Sequence, residues 1–323
     1  MCTRVLWNTN DLAVLTGRSM DWPESTDPLI IAFPRGRQRD GGTLAGTDVV
    51  SANPLRWTSR YATLVTSVYG LGGIDGFNEM GLAAHGLYLR ATDFGPRDVS
   101  KPGVHGGLWV QYLLDQAGTV AEALALMAEI DIVMVSARGH DATLHVALED
   151  STGDSAVIEF ADGKLVVHHG REFTLMTNDP TYDEQLKLLS LQDFSHPDLN
   201  LPLPGNVNAV DRFQRAAYYA ALLPTPADER QAVAGVMAIM RNVSVPFGAP
   251  YGDFGVYNTE YRTVSDLTNR TYYFELTTSP NTIWVNFDQL GLADSGEPVA
   301  INPYDDTLTG DVSARFAPHQ VSF

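Results

Sequence analysis

Residues 1–22 read MCTRVLWNTNDLAVLTGRSMDW, and the fold is decided there. Two short apolar runs, RVLW and LAVLT, flank the turn cluster Asn8-Thr9-Asn10-Asp11, the pattern of a β-hairpin with Cys2 at its entrance. The returning strand delivers Gly17-Arg18-Ser19-Met20-Asp21-Trp22-Pro23 where the chain leaves the sheet, within reach of Cys2. Cys2 is the only cysteine in the chain. Its side chain is small, the condition under which methionine aminopeptidases trim, so removal of Met1 is expected. One residue would then carry a thiol and a free α-amine of pKa about 8, nucleophile and base together. That pairing suits amide hydrolysis through an acyl-enzyme. On its own, a cysteine near a chain start is more often a small buried hydrophobe.

The rest of the chain extends the hairpin pattern. YATLVTSV, the Gly-rich turn of residues 70–76 and GLAAHGLYL predict two more strands. From Leu108 to Ile130 the spacing turns helical, and Thr119 followed by Glu122 forms a capping box that divides this stretch into two helices after Gly118. TLHVALED, SAVIEF, KLVVHH and FTLMT predict four strands, the Asp162-Gly163 pair being the strongest hairpin signal among their turns. A loop rich in Pro, Asn and Asp leads to helices at about 210–223 and 228–241, and YRTVSD, TYYFELT and TIWVNF close the chain. Strands, helices, strands, helices, strands is an α+β order with mainly antiparallel sheets, and the two helix blocks can cover the outer faces of a two-sheet sandwich. No linker separates self-sufficient halves, so residues 1–323 are expected to form one domain.

Composition narrows the function. Hydrophobic residues make up 44% and charged residues 19% of the 323, which describes a globular chain with a large core. Lys and Arg total 21 against 39 Asp and Glu, a formal charge of −18 that repels phosphate backbones and excludes nucleic acid as a partner. No apolar run approaches the roughly 18 residues of a membrane-spanning helix. The start lacks a positive n-region and an apolar h-region, so the cytoplasm is the expected compartment. A chain already relieved of a leader reads identically, which keeps the periplasm or secretion open.

Other candidate chemistry is weaker. His168 and His169 are adjacent on a strand and point to opposite faces, so no metal is expected there. His85, without a metal-ligand pattern around it, reads as a satisfied core or loop histidine. No GxSxG elbow occurs, and GLGGIDG at 70–76 is not a dinucleotide fingerprint. Asn178 directly follows a strand in Met176-Thr177-Asn178-Asp179-Pro180. An Asx-turn before proline accounts for it; alternatively its amide NH₂ donates to an oxyanion, a contact worth about 3 kcal/mol. Asp21 can orient and tune the Cys2 amine, and Arg18 and Arg212 are either surface cations or charges that favour a thiolate.

Taken together, MCTR, GRSMDW (17–22), FNEMGLAAHGLYL (77–89), IEFADGKLVVH (158–168), MTNDPTYDEQL (176–186), DRFQRAAY (211–218), RNVSVPFG (241–248), YRTVSD and SPNTIWVNF resemble the choloylglycine hydrolase and penicillin V acylase family, the linear amide C–N hydrolases among the N-terminal-nucleophile (Ntn) hydrolases. The resemblance spans nearly the whole chain and implies a four-layer αββα fold. By position it implies Cys2 as nucleophile, Arg18 and Asp21 as its flanking pair, Asn178 and the backbone N–H of Tyr88 as oxyanion donors, and Arg212, rather than Arg215, as the later arginine. It implies no metal or organic cofactor. Tyr88 in LYL, where many bile salt hydrolases carry Asn, resembles penicillin V acylases and the group that cleaves acyl homoserine lactones. The connection from Asn178 to Arg212 is shorter than in tetrameric members, which speaks against a tetramer and leaves a homo-oligomer open.

The expected substrate is a small N-acyl amide. Trp22, Tyr88, Leu87 and Phe247 are candidates to hold an apolar acyl group such as phenoxyacetyl or a fatty chain, and each reads as well as a core residue. Conjugated bile salt hydrolysis and an acyl-ligand binding protein without turnover are the alternatives.

Overall fold

The computed structural model describes residues 1–252 and 255–323. In chain order its principal strands are β1 (Cys2–Trp7), β2 (Leu15–Trp22), β3 (Ile30–Phe33), β4 (Thr63–Val68), β5 (Gly72–Asn78), β6 (Ala83–Tyr88), β7 (Leu144–Glu149), β8 (Ser155–Ala161), β9 (Lys164–His169), β10 (Leu175–Met176), β11 (Val256–Asp266), β12 (Thr271–Leu276), β13 (Thr282–Asn286), β14 (Val299–Ile301), β15 (Gly310–Asp311) and β16 (Ala317–Pro318). The helices are α1 (Trp109–Gln116), α2 (Val120–Glu129), α3 (Tyr182–Leu189), α4 (Ala209–Ala221) and α5 (Glu229–Asn242).

One sheet runs β10-β1-β2-β11-β12-β13-β15 and the other β9-β8-β7-β6-β5-β4-β3-β14-β16. Neighbours are antiparallel except the β13–β15 pair, as expected where short turns connect consecutive strands. α4 and α5 lie on the first sheet, while α1 packs on β5 and β6 of the second. The layers are therefore αββα. Strands 1 and 2 are buried on both faces because the first sheet has a helix layer on one side and the second sheet on the other. The central core joins the facing sheets through Val5, Leu64, Phe77, Ala83, Leu87, Tyr261 and Phe274.

Local chemistry places the boundaries. Thr119 caps α2, accepting from the Glu122 N–H at 3.2 Å, while the Glu122 carboxylate reaches back to the Gly118 N–H at 2.8 Å. Asn208 and Asp228 cap α4 and α5 in the same way. Gly17 lets α5 approach β2, since a Cβ there would lie 2.7 Å from both Val236 and Met240.

Three features depart from the sequence reading. Tyr182–Leu189 is helical although its neighbours Pro180 and the later Pro- and Asp-rich run read as loop; only one turn of apolar spacing was on offer. Ile30–Phe33 is a fully buried strand too short for a periodic signal. The tail after Phe287 adds β14 to β16 at sheet edges. Among the described residues no helix is long and apolar enough to cross a membrane.

Candidate active site

The hairpin forms, but its second strand runs Leu15–Trp22 and not over LAVLT, so Arg18 and Asp21 lie within the strand and not where the chain leaves the sheet; Cys2 stands opposite Met20 and Arg4 opposite Arg18. Beyond Met20 the β2–β11 register slips: Met20 faces Tyr261, yet Asp21 faces Thr259, so Glu260 is the extra residue of a bulge. Bulges re-aim side chains. Here the Asp21 carboxylate meets the Thr259 hydroxyl at 2.6 Å and the Ser19 hydroxyl at 3.3 Å, fully buried.

Cys2 is 2% exposed, and its Sγ lies 3.5 Å from Nη2 of Arg18. The same guanidinium donates to Tyr261 Oη at 2.8 Å and to the Gly86 carbonyl at 3.2 Å. Among the described residues no carboxylate lies within 4.0 Å of it. Burial works against the Arg18 charge, but Tyr261, Cys2 and Asp75 hold the proton on it and leave its pKa above the ordinary value. The positive charge against the sulfur is the complement of a thiolate.

Asn178 closes the other side. Its Oδ1 accepts from the Cys2 N–H at 2.7 Å and from Nη2 of Arg212 at 2.8 Å, while its Nδ2 donates to the Tyr88 carbonyl at 2.6 Å. Two donors at one atom and an acceptor at the other fix the orientation of the amide. The side chain therefore serves the Cys2 backbone and not a local Asx-turn. Arg212 also donates to the Cys2 carbonyl at 2.6 Å and lies 3.5 Å from Asp21. Arg215 turns away to the carbonyls of Pro204 and Asn206, so α4 presents Arg212 to Cys2.

Strand β6 supplies the remaining edge. β5 pairs with it only as far as His85, and Leu89 N–H bonds to the Thr143 carbonyl at 2.9 Å on the β7 side. Antiparallel alternation then turns the peptide groups of Gly86 and Tyr88 away from β7, toward Cys2. Their carbonyls are taken by Arg18 and Asn178. The Tyr88 N–H faces the same edge.

Cys2 and Arg18 form the floor of a cavity of about 780 Å³, including its solvent-filled mouth. Met20, Val68, Ile74, Val135 and Leu144 give it apolar walls, and Trp22, Tyr69, Tyr88 and His140 an aromatic side. Trp22 makes edge contacts with Tyr88 at 5.6 Å and with His140 at 5.0 Å between ring centres, and its Nε1 donates to Tyr69 Oη at 2.7 Å.

Two expected binding residues lie elsewhere. Leu87 is fully buried in the core between the sheets, because residues 86 and 88, not 87, turn toward the cavity. Phe247 is 63% exposed and does not line the cavity among the described residues. Other members of the site gave no sequence signal. Tyr261 partners Arg18 from the regular β2–β11 register, Thr259 meets Asp21 only through the bulge, and His145 and Gln185 hold the Thr177 and Asn178 carbonyls at 2.9 and 3.1 Å. Both of the latter lie within motifs already quoted or next to them, but nothing in their spacing marks them.

Met1 is present and buried. Its amine donates to the Asp21 carbonyl, and burial pushes that amine down to about 6, with Arg212 and Arg18 acting in the same direction against Cys2 and Asp21. Among the described residues no three His, Cys, Asp or Glu side chains are grouped to hold a metal.

The layers and the buried Cys2 at the head of β1 define an αββα sandwich of the Ntn-hydrolase class. The model of the linear amide C–N hydrolases, choloylglycine hydrolase family, matches residues 2–301. The chain belongs to this family of amide hydrolases. It is 35% identical over 350 aligned positions to a penicillin V acylase of Pectobacterium atrosepticum, covering 99% of this chain and 90% of that one. The solved penicillin V acylase of Agrobacterium tumefaciens superposes with a TM-score of 0.87 at 35% identity, over 99% of this chain and 98% of the other. A mutant conjugated bile acid hydrolase from Clostridium perfringens shares the fold, with a TM-score of 0.80 at 22% identity over 96% and 98% of the two chains.

Proposed function

We propose that removal of Met1 turns Cys2 into the nucleophile of an N-acyl amide hydrolase, residues 1–323 acting as one catalytic domain. The observation that carries this reading is the position of Sγ. It lies on the floor of an apolar cavity, 3.5 Å from a guanidinium that has no carboxylate partner within bonding range among the described residues.

Sγ attacks the amide carbon after its proton passes to the freed Cys2 amine. The same amine then protonates the leaving nitrogen, and a water, deprotonated by the amine, cleaves the thioester. The second hydrogen of Asn178 Nδ2 and the Tyr88 N–H receive the oxyanion. Asp21 and Arg212 fix the nitrogen end of Cys2, and Arg18 faces the sulfur. None of these steps calls for a metal or cofactor.

The acyl half is apolar, of the phenoxyacetyl or fatty-chain kind, and lies between Trp22, Tyr88 and the aliphatic wall. Identity to two penicillin V acylases and the tyrosine at position 88 rank penicillin V and acyl homoserine lactones ahead of conjugated bile salts. The deciding assay follows amine release from these three substrates, with intact mass establishing the N-terminus. Turnover of bile salts alone overturns the ranking. A competent enzyme that keeps Met1, or labelling of a residue other than Cys2 by a thiol-directed inactivator, overturns the mechanism.

A further inference from the structure

Met1 is 6% exposed and sits in an apolar cluster that adjoins the acyl cavity. The slot is made by Ala209, Val245 and Tyr257, flanked by Tyr88, Val207, Ala249 and Tyr251. The rings of Tyr251 and Tyr257 are stacked, 4.4 Å between centres and 11° from parallel, which gives it one flat and braced wall. The Met1 backbone is bonded to Asp21 twice: the amine donates to the Asp21 carbonyl, and the Asp21 N–H donates to the Met1 carbonyl at 2.7 Å.

Excision of Met1 therefore leaves an imprint with three parts. It comprises an apolar slot sized for a four-atom side chain, a strand N–H that has lost its acceptor, and a carbonyl that has lost its donor. A buried N–H without an acceptor is unfavourable, so water or substrate takes the place of the lost carbonyl. The slot adjoins the sulfur's cavity, Tyr88 belonging to the walls of both. In the reaction assigned above, the Cys2 nitrogen must come within hydrogen-bond reach of the leaving nitrogen, whose substituents then extend into the space Met1 occupied.

We propose that the vacated Met1 pocket is the subsite for the amine half of the substrate, and that it selects α-amino carbonyl compounds bearing a compact apolar substituent. The Asp21 N–H receives the carbonyl oxygen and the slot between Ala209, Val245 and the tyrosine pair receives the substituent. This deepens the reading of Cys2 as a processed nucleophile and rests on it. A glycine-type amine leaves the slot empty, and a sulfonate such as taurine brings an anion to an apolar wall.

The test uses the full-length processed enzyme and three substrates with one acyl group: the N-phenoxyacetyl derivatives of norleucinamide, glycinamide and taurine. The expected kcat/KM is at least about tenfold higher for norleucinamide than for glycinamide, the discrimination a filled apolar pocket provides, and lowest for taurine. Ala209→Leu and Ala249→Leu, which fill the slot from two sides, bring the norleucinamide to glycinamide ratio close to one. Free norleucinamide inhibits the wild type competitively and more strongly than glycinamide, a readout that needs no folded variant. A wild-type ratio within about twofold of one, equal inhibition by the two amines, or a ratio unaltered in both variants overturns the subsite while leaving the nucleophile intact. Absence of hydrolysis of all three, or a competent enzyme with Met1 in place, overturns the reading beneath it as well.

Discussion

The Nη2 of Arg18 and the Sγ of Cys2 lie 3.5 Å apart in a site where both side chains are buried. A buried guanidinium is costly without an anion, and it faces the Cys2 sulfur at that distance, while burial holds the proton on the Tyr261 phenol that it also touches. Replacing Arg18 by Met keeps the length of the stem and removes the charge. The expected result is a fall of at least about 100-fold in kcat and a slower reaction of Cys2 with iodoacetamide at pH 7 by about tenfold, since only the thiolate reacts. Equal alkylation rates for wild type and Arg18→Met would remove the role assigned to this pair.

Asn178 performs two tasks with two atoms, and they can be separated. Oδ1 accepts from Cys2 and Arg212, while Nδ2 donates toward the Tyr88 edge. Asn178→Asp retains the acceptor and loses the donor; Asn178→Ala loses both. If Nδ2 stabilises the oxyanion, both variants lose about 100-fold or more in kcat, and both melt lower, the Asp variant because its second oxygen meets the Tyr88 carbonyl with no proton to give. Full kcat in Asn178→Asp would place the oxyanion donor elsewhere.

The first hairpin was legible because its signals are local: two apolar runs, a polar turn, and a register that sets Arg18 and Asp21 near Cys2. The α+β order and both helix blocks were legible for the same reason. What escaped was set by pairing at long range. The Glu260 bulge, which brings Thr259 to Asp21, depends on how β11 meets β2 across more than two hundred residues of chain. Leu87 was drawn toward the cavity by its place beside Tyr88, yet period-two alternation on β6 turns it into the core. Phe247 was assigned by hydrophobicity, and single exposed aromatics are ordinary on a protein surface. His85, which the sequence leaves as a satisfied core or loop histidine, is fully buried between Asp75 and Glu149.

That histidine gives a prediction about pH. Burial opposes its charge, but Glu149 and Asp75 on either side raise it from 6.5 to about 9; the two carboxylates, despite burial, are lowered to about 2, Asp75 by His85 and Glu149 by Arg4 and His85. A raised histidine contributes stability that is complete below pH 6.5 and is lost as pH rises through 9. The lowered carboxylates contribute stability that is complete above pH 4.5 and is lost as pH falls toward 2. Melting temperature should therefore have its plateau between these limits. His85→Gln leaves two buried carboxylates without their shared cation, which costs about 3–5 kcal/mol at pH 6. The difference in melting temperature between wild type and variant should shrink steadily from pH 6.5 to 9. A difference that stays constant over that interval would mean that His85 is neutral in the fold.

Trp22 gives the last test, because its ring touches the acyl cavity while its Nε1 is bound outside the reacting groups, to Tyr69 at 2.7 Å. Tyr69 in turn donates to Glu24 at 2.7 Å, so the indole is held at one end by a hydrogen-bonded chain and by T-shaped contacts with Tyr88 and His140. Trp22→Ala removes the aromatic wall and leaves the tyrosine with one partner fewer. For a phenoxyacetyl substrate the loss of stacking and apolar contact should raise KM about tenfold or more with a smaller change in kcat, since the contact is made equally in the ground state and the transition state. Trp22→Phe should recover most of that loss. For an acetyl substrate, too short to reach the indole, the same variants should change KM by less than about twofold. A parallel rise for both acyl groups would show that Trp22 acts through Tyr69 on the shape of the whole cavity and not by direct contact with the acyl chain.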